Sequence, residues 1–342
     1  MSIVQTASSP STIANVNRYL VVSVDTEEEG LWGGNYRVSG NTTRNLRGLA
    51  RFQDCCERLS VPPTYLIDAP VIYDAEAIAL MRRWQDAGRC EVGSHCHPWC
   101  NPPLATSAPT SAETYLCNLP VEVQYEKLKW LTDRIADAVG RVPTSYRAGR
   151  YGFGPSSAGI LEQLGYQVDS SVLPLHEYLS KGGPDFREAS RHPFRYFGND
   201  DERHLLEIPV TAGFTRHGYE WQRKLWIALR AKPWRRMRLA GVADYMGIGR
   251  RVKLSPEGTR LNDLKRLIDT CYRDGLDTLV LMLHSSSLVA GLSPYATDAA
   301  QLDSFYTRLS QMIKHATIQY GYRPVTLTQC AAELTSAGVT AG

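Results

Sequence analysis

The sequence predicts an α/β fold with a mainly parallel sheet. Short apolar runs alternate with stretches of helical periodicity along most of the 342 residues, a pattern typical of α/β domains. Residues Thr278–His284 are almost entirely apolar, as expected for a strand buried on both faces of a parallel sheet. The composition, 43% hydrophobic and 21% charged, excludes a disordered or membrane-embedded chain.

The predicted elements follow one another with clear boundaries. Strand-like runs occupy eight segments: 19–25, 64–68, 90–95, 144–147, 166–172, 205–210, 278–284 and 324–328. Helical spacing of apolar residues predicts helices at 44–59, 75–87, 121–139, 155–164, 261–272 and 299–315, and a short one at 330–334. Pro62 and Pro63 end the first helix, and Gly88, Gly140 and Gly165 follow three others, as helix-terminating residues do.

A basic insert interrupts this alternation. We predict a leader at 1–17 and one domain at 18–342 that carries an insert at 215–255. Residues 221–253 hold ten Lys and Arg against one acid, Asp244. This pattern favours an amphipathic helix with a solvated basic face, or a flap near the site that docks an anionic group or a membrane surface. In the flap interpretation Arg235, Arg236 and Arg238 bind phosphate, since arginine forks match phosphate geometry.

Charge and targeting signals limit the partners. Lys and Arg number 38 against 35 Asp and Glu, a net charge of +3 that is too balanced to indicate nucleic acid as the main partner. No apolar run approaches the ~20 residues of a membrane helix. Residues 1–17 contain no Lys or Arg, and the eight cysteines form no Cys-x-x-Cys pair. We therefore expect a reduced, cytoplasmic protein without a transmembrane segment. The sequence predicts no particular oligomeric state.

Polar residues collect just after the strand-like runs. The carboxyl ends of parallel strands meet at one edge of a sheet or barrel, where functional groups gather. Five clusters occupy such positions: Asp25 to Glu29, His95 with His97, Arg147 with Arg150, Asp169, and His284 to Ser287. Their shared placement predicts one site built from distant parts of the chain.

The His95-x-His97 pair is the best metal signal. Residues i and i+2 of an extended segment point the same way, so both imidazoles can face one divalent ion while Cys96 faces away. A carboxylate from the segment 25–29 would complete the ligands, and a second carboxylate would act as general base. Two packing histidines are the alternative. Glu28 and Glu29 are expected in a solvated loop.

His284 ends the most apolar strand beside three serines. A histidine there suits an acid that protonates a leaving group, although a core histidine is the alternative. We expect Asp169 to lie within hydrogen-bond reach of His284, or to share a partner with it, and to raise its pKa.

These residues resemble the motifs of the polysaccharide deacetylase family, also called NodB-homology or carbohydrate esterase 4 proteins. The resemblance runs from Tyr19 to Leu334, excluding the insert, and covers five motifs in the family's order. The matching segments are Val24-Asp-Thr-Glu27, Glu91-Val-Gly-Ser-His95, Tyr146-Arg-Ala-Gly-Arg-Tyr-Gly152, Tyr166-Gln-Val-Asp169 and Leu281-Met-Leu-His-Ser285. Trp99 and Thr26 stand where the family usually has metal ligands, so His97 and Glu27 would take those roles.

The resemblance implies a distorted (β/α) barrel that uses a divalent metal, usually Zn²⁺, to hydrolyse the N-acyl group of an amino sugar. By position, Asp25 would be the base steadied by Arg147, and His284 the acid steadied by Asp169. Glu27, His95 and His97 would hold the metal. The substrate-binding residues would be Trp99, which suits stacking on a sugar ring, Arg150, Tyr151 and Ser285.

Three functions stay open. The first is a zinc-type N-deacetylase, with an N-acetyl sugar in a polysaccharide, nucleotide-linked or lipid-linked precursor as its substrate. The second is a deformylase or other hydrolase of a C–N bond, such as that of a ureide, because site shape rather than fold decides the substrate. The third is a catalytically silent member that only binds glycan. Metal content separates the third function from the other two.

Overall fold

The computed structural model describes residues 17–105, 108–196, 205–230 and 250–338. The strands are β1 Tyr19–Thr26, β2 Thr64–Ile67, β3 Glu91–Cys96, β4 Ser145–Ala148, β5 Val168–Asp169, β6 Phe194–Arg195, β7 Leu206–Glu207, β8 Ala212–Phe214, β9 Arg251–Lys253, β10 Thr278–His284 and β11 Arg323–Pro324. The helices are α1 Leu49–Arg58, α2 Ala69–Ile72, α3 Ala75–Asp86, α4 Val121–Val139, α5 Pro155–Gln163, α6 Tyr219–Arg230, α7 Leu261–Arg273, α8 Ala299–Lys314 and α9 Leu327–Ser336.

The main sheet is parallel and curls into a distorted barrel. Its strand order is β10-β1-β2-β3-β4-β5-β7-β6, with β11 paired to the start of β1 and only β6 antiparallel to its neighbour. The chain after β7 closes the curl, because the N–H of Val210 donates to Val172 O at 2.9 Å and the N–H of Thr211 to Val280 O at 3.1 Å. The carboxyl ends of all the parallel strands therefore open on the same side.

Alternating side chains of β1 face two different cores. Leu20, Val22 and Val24 pack outward against the helices, whereas Tyr19 and Val21 pack inside the barrel. Helix α9 fills the inner core at the amino end of the barrel with Leu327, Cys330, Ala331 and Leu334. By the period of two, Asp25 continues the inward row and stands at the upper, carboxyl end of the barrel.

Three predicted strands are shorter in the structure. The run 324–328 pairs only through β11, because Thr326 and Gln329 form a capping box that starts α9 at Leu327. The run 166–172 forms only the two-residue strand β5, and the run 205–210 only the two-residue strand β7. The remaining strands and helices lie within a few residues of their predicted positions, and the α/β barrel fold is confirmed.

The basic insert is only partly described. Helix α6 supplies its first turns and packs Tyr219 and Trp226 against Leu175 and Phe214. Residues 231–249, which include Arg235, Arg236 and Arg238, lie outside the described residues. The same holds for residues 1–16 of the expected leader. Among the helices described, none is both long and apolar enough to cross a lipid bilayer.

Gly93 sits where strands β2, β3 and β4 approach closely. A Cβ at this position would lie 2.7 Å from the Ser145 carbonyl oxygen, which is backbone and cannot step aside. We expect Gly93→Ala to lower the free energy of unfolding by about 1–3 kcal/mol, the usual cost of overpacking. Urea denaturation measures this, and Gly159→Ala in α5, where nothing lies within 4 Å, should instead be stabilising. Equal stability of the two variants would contradict the tight strand contact.

Candidate active site

Five strand ends deliver polar side chains to the open end of the barrel. The register places Asp25 of β1 beside His284 of β10, and His95 of β3 beside Arg147 of β4. Asp68 follows β2 directly. The clusters at 25–29, 95–97, 147–150 and 284–287 therefore contribute to one site, as expected, whereas Asp169 does not.

Glu27, His95 and His97 form a buried cluster that fits a divalent metal. Glu27 Oε2 lies 3.4 Å from His95 Nε2 and 3.3 Å from His97 Nε2. The Nδ1 atoms are engaged elsewhere, with Arg147 O at 2.9 Å for His95 and Glu28 Oε2 at 2.7 Å for His97. Both Nε2 atoms thus face the carboxylate. Two ligand bonds of about 2.1 Å at a tetrahedral angle put donor atoms roughly 3.4 Å apart, which matches these spacings.

A second layer of buried groups holds His97 from behind. Glu28 binds His97 Nδ1 with one oxygen and accepts the Trp99 Nε1–H with the other at 2.7 Å. Asp68 Oδ2 accepts the Glu28 backbone N–H at 3.0 Å and lies 3.4 Å from His97 Nδ1. Burial is the main cause of the raised pKa of Asp68, and the neighbouring Glu28 carboxylate is the second cause. A carboxylate behind a ligand histidine fixes its tautomer and ring orientation.

The expectation of a solvated loop is wrong for Glu28, which is buried. The sequence offered a signal for Asp68, an acid directly after a strand, but none for Glu28. Period two would put Glu28 on the opposite side from Asp25 and Glu27; β1 ends at Thr26, however, and the alternation ends with it. The Glu29 side chain is not solvated either: it is 5% exposed and pairs with the exposed Arg44 at 2.9 Å.

The close approach of the β4 end to His97 depends on Gly149. A Cβ on Gly149 would lie 2.4 Å from His97 Cδ2 and 2.6 Å from the Cys96 carbonyl oxygen. Cys96 itself faces the outer core, as expected for the residue between two inward histidines.

Asp25 and Arg147 form a buried ion pair. Arg147 Nη1 donates to Asp25 Oδ1 at 2.6 Å, while Nε and Nη2 donate to Ser170 O and Oγ at 2.8 and 3.0 Å. Burial alone would raise the pKa of Asp25, but the Arg147 guanidinium holds it below its ordinary range. Asp25 is therefore ionised at neutral pH, and its second oxygen, Oδ2, lies 4.0 Å from His284 Nε2.

Glu257, and not Asp169, orients His284. Glu257 Oε2 binds His284 Nδ1 at 2.8 Å, and Oε1 accepts the His284 backbone N–H at 2.9 Å and the Ser287 hydroxyl at 2.6 Å. Burial alone would lower the pKa of His284, but Glu257, and then Glu27, raise it to about 9. The sequence did not point to Glu257, because Glu257 lies just beyond the segment assigned to the insert. The signal that could have identified it is the Ser-Pro-Glu-Gly turn at 255–258, which follows the short run 251–254.

Asp169 instead pairs with Glu207 on the neighbouring strand β7. It accepts the Ser171 hydroxyl at 2.5 Å, and its other oxygen and one oxygen of Glu207 are buried without a hydrogen-bond partner among the described residues. Burial raises the pKa of Asp169, and it is also the main cause of the raised pKa of Glu207, with the Asp169 carboxylate as the second cause. The expected Asp169–His284 contact is thus corrected: Asp169 is engaged across the sheet with Glu207.

A cavity of about 150 Å³ opens beside these groups. It is lined by Asp25, Glu27, Leu31, Trp32, Tyr36, His95, His97, Trp99, Ala148, Arg150, Tyr151 and His284. Two depressions of about 550 and 580 Å³ elsewhere on the surface are larger, but no histidine lines either of them. We therefore take the smaller cavity as the candidate active site.

The four expected substrate-binding residues have different surroundings. Arg150 and Tyr151 line the cavity. Trp99 lines it too, but it is buried and stacks on His97 with ring centroids 4.3 Å apart. Its ring therefore packs against one of the candidate metal ligands. Ser285 lies behind the wall, and its hydroxyl accepts the Glu27 backbone N–H at 3.1 Å. Ser285 is thus corrected from a substrate contact to an anchor of the Glu27 backbone.

The loop between β1 and α1 covers the cavity. Its residue Trp32, 39% exposed, packs edge-on against His284 with centroids 4.9 Å apart and donates Nε1–H to Ser286 Oγ at 3.1 Å. Tyr36 of the same loop lies against Trp99, with centroids 4.7 Å apart. Aromatic rings therefore form the mouth of the site.

Several solved structures share this fold. The chain resembles a PuuE allantoinase (14% identity, TM-score 0.56, covering 97% of this chain and 95% of that one). It also resembles proteins assigned as polysaccharide deacetylases from Pseudomonas aeruginosa PAO1 (14%, 0.55, 94% and 91%) and Mycobacterium smegmatis (14%, 0.51, 98% and 96%). No family model and no curated protein matches the sequence. The chain thus has the distorted barrel fold of the polysaccharide deacetylases, as the motifs predicted, and a fold shared with an allantoinase leaves the substrate open.

The Asp25–Arg147 pair should be essential to stability. Arg147→Met leaves a buried carboxylate without its cation, so we expect the free energy of unfolding to fall by about 3–5 kcal/mol in urea denaturation. Adding Asp25→Asn should recover part of the loss. Arg187→Met, which breaks the surface pair with Asp185, should cost less than about 1 kcal/mol. If the double variant loses as much as the two single losses combined, the pair is not coupled.

The pKa of His284 should depend on Glu257. In metal-loaded protein we expect an NMR titration of the His284 ring to give a pKa at or below about 9, since a divalent ion beside Glu27 opposes a second positive charge. Glu257→Gln should lower that pKa, so any activity that needs protonated His284 is lost at lower pH. Glu333→Gln, at the surface pair with Arg323, is the control and should change nothing. An unshifted His284 titration in Glu257→Gln would contradict the assignment.

Proposed function

We propose that this chain is a metal-dependent amide hydrolase that removes an acyl group from the nitrogen of an amino sugar. The observation that carries the proposal is the convergence of two sets of groups on one cavity: the Glu27, His95 and His97 cluster, and the Asp25 and His284 side chains. The amino sugar comes from the motif resemblance, and the shared fold is consistent with it.

Glu27, His95 and His97 would hold a divalent ion, with Zn²⁺ the first candidate from the nitrogen and oxygen donor set. When bound, such an ion supplies a Lewis acid that polarises the acyl oxygen and makes water more acidic. Glu28 keeps His97 Nε2 directed at the cluster by holding Nδ1, and the Arg147 carbonyl does the same for His95.

Asp25 and His284 divide the proton transfers between them. Asp25 is ionised and fixed by Arg147, so its free oxygen accepts a proton from the attacking water. Although burial lowers the pKa of His284, the Glu257 carboxylate raises it above its ordinary value, which favours the protonated ring. Its Nε2 faces the same space, so it donates a proton to the leaving nitrogen. Glu257 fixes the ring through Nδ1 and stabilises its charge.

A compact amide or ureide is the second candidate substrate. A cavity of about 150 Å³ is half the lower bound of the roughly 300–1,000 Å³ typical of pockets for drug-sized ligands. In the conformation described, the β1–α1 loop covers the site that a long glycan would have to cross. This favours a small molecule, or the end of a chain, over the interior of a polymer. A silent glycan-binding protein is the alternative in another class.

Metal content and amide cleavage test the proposal together. We expect elemental analysis of the purified, zinc-supplemented protein to find about one divalent ion per chain. Release of free amine from N-acetylated and N-formylated sugars, sugar nucleotides and glycolipids should stop on chelation and return with metal. Glu27→Gln and His97→Asn should lose both metal and activity.

His315→Asn is the matched control, because His315 pairs with Asp269 away from the site and should keep both properties. Wild-type protein that binds no metal under these conditions would overturn the hydrolase and favour the silent binding protein. Protein that binds metal but cleaves only non-sugar amides would move the substrate to the second candidate.

A further inference from the structure

Arg150 stands in an unusual backbone conformation on the cavity wall. Arg150 and Tyr151 follow β4 with φ values of 53° and 59°, so two consecutive residues that carry a Cβ occupy the left-handed region. Such conformations concentrate at ligand sites, where the surrounding structure enforces them. Here the turn directs both side chains at the cavity.

The Arg150 guanidinium is held in place by neutral groups. Its carbon lies 4.7 Å from the centroid of the Tyr36 ring and 4.1 Å from that of Tyr115. Nη1 donates to Thr114 Oγ1 and to Ser111 O, and Nη2 donates to the Tyr115 hydroxyl at 2.8 Å. No carboxylate pairs with it among the described residues, which distinguishes it from Arg147.

Two of the five guanidinium N–H groups have no acceptor within the described part of the chain: Nε–H and one on Nη2. These two nitrogens carry the parallel N–H pair that matches a carboxylate or a phosphate. Aromatic stacking fixes the plane of the guanidinium, so little side-chain freedom would be lost on binding. The site therefore presents a pre-organised cation that the proposed chemistry does not use.

Arg147 compensates the charge of Asp25, and a divalent ion would compensate that of Glu27, whereas no carboxylate pairs with Arg150 among the described residues. With the amide at the candidate metal-binding residues, an anionic group on the substrate would therefore find Arg150 as its uncompensated partner on the same cavity wall. Because the cavity holds only about 150 Å³, the anionic group and the amide must lie a few atoms apart.

We propose that Arg150 binds an oxyanion, a carboxylate or a phosphate, carried by the substrate close to the scissile amide. This inference rests on the proposed amide hydrolase and adds a substrate class to it. Arg150 sets which amides are accepted and how they are oriented, and it takes no part in the proton transfers.

Two matched pairs of probes test the inference by binding. One pair is N-acetylglycine and its uncharged amide, N-acetylglycinamide; the other is N-acetylglucosamine 1-phosphate and N-acetylglucosamine. Isothermal titration calorimetry with the metal-loaded protein needs no turnover. We expect at least one anionic probe to bind about tenfold or more tightly than its neutral partner, as a charge-assisted fork should give. The pair of probes in which the anionic member binds more tightly identifies the oxyanion as a carboxylate or as a phosphate.

Arg150→Gln should abolish that preference, and Arg150→Lys should retain part of it, which shows that the effect is not loss of folding. Lys129→Gln removes the same charge from an exposed pair on α4 and should change nothing. Equal affinity within both pairs, or a preference that survives Arg150→Gln, would overturn the inference. Intact Arg150-dependent binding without any amide cleavage would overturn the proposed function instead, so the two failures are distinguishable.

Discussion

The site depends on a charge pair buried at the top of the barrel. Arg147 is among the largest fully buried side chains, and its position is fixed by Asp25 on one side and Ser170 on the other. Two charges taken out of water cost several kcal/mol each unless their hydrogen bonds are satisfied. That requirement fixes the separation of β1 and β4, strands that are not neighbours in the sheet. The backbone carbonyl of Arg147 also binds His95 Nδ1, so one residue connects the candidate metal ligands to the proposed base.

Each of the three histidines that line the cavity has one ring nitrogen engaged and one directed into the cavity. For His95 the engaged partner is a backbone carbonyl, for His97 a carboxylate from the β1 end, and for His284 the carboxylate of Glu257. The type of partner does not by itself separate the proposed tasks, because His97 and His284 both bind a carboxylate. At His97 the carboxylate would fix the tautomer of a metal ligand, whereas at His284, which lies outside the candidate metal cluster, it stabilises the imidazolium that an acid needs.

Local periodicity in the sequence predicted a parallel α/β sheet and the polar groups at its strand ends, and the resemblance to the deacetylase motifs implied the barrel. His95 and His97 are two residues apart next to a strand, and Asp25 ends a strand whose inward row is readable from Tyr19 onward. The partners of these groups could not be predicted in this way. Glu257 reaches His284 from 27 positions away across the barrel, and Glu28 turns inward only because the strand stops at Thr26. Such contacts depend on how chain segments close in space.

Four consecutive residues, from Asp25 to Glu28, contribute the proposed base, the strand end, a candidate metal ligand and the carboxylate that holds His97. A one-residue insertion or deletion here would displace all four side chains at once, so none of these positions can be shifted without the others. The covering loop that follows it touches the site through aromatic rings, Trp32 against His284 and Tyr36 against Trp99. A change in the length of this loop would therefore reshape the mouth of the cavity while the buried groups beneath it keep their contacts with one another.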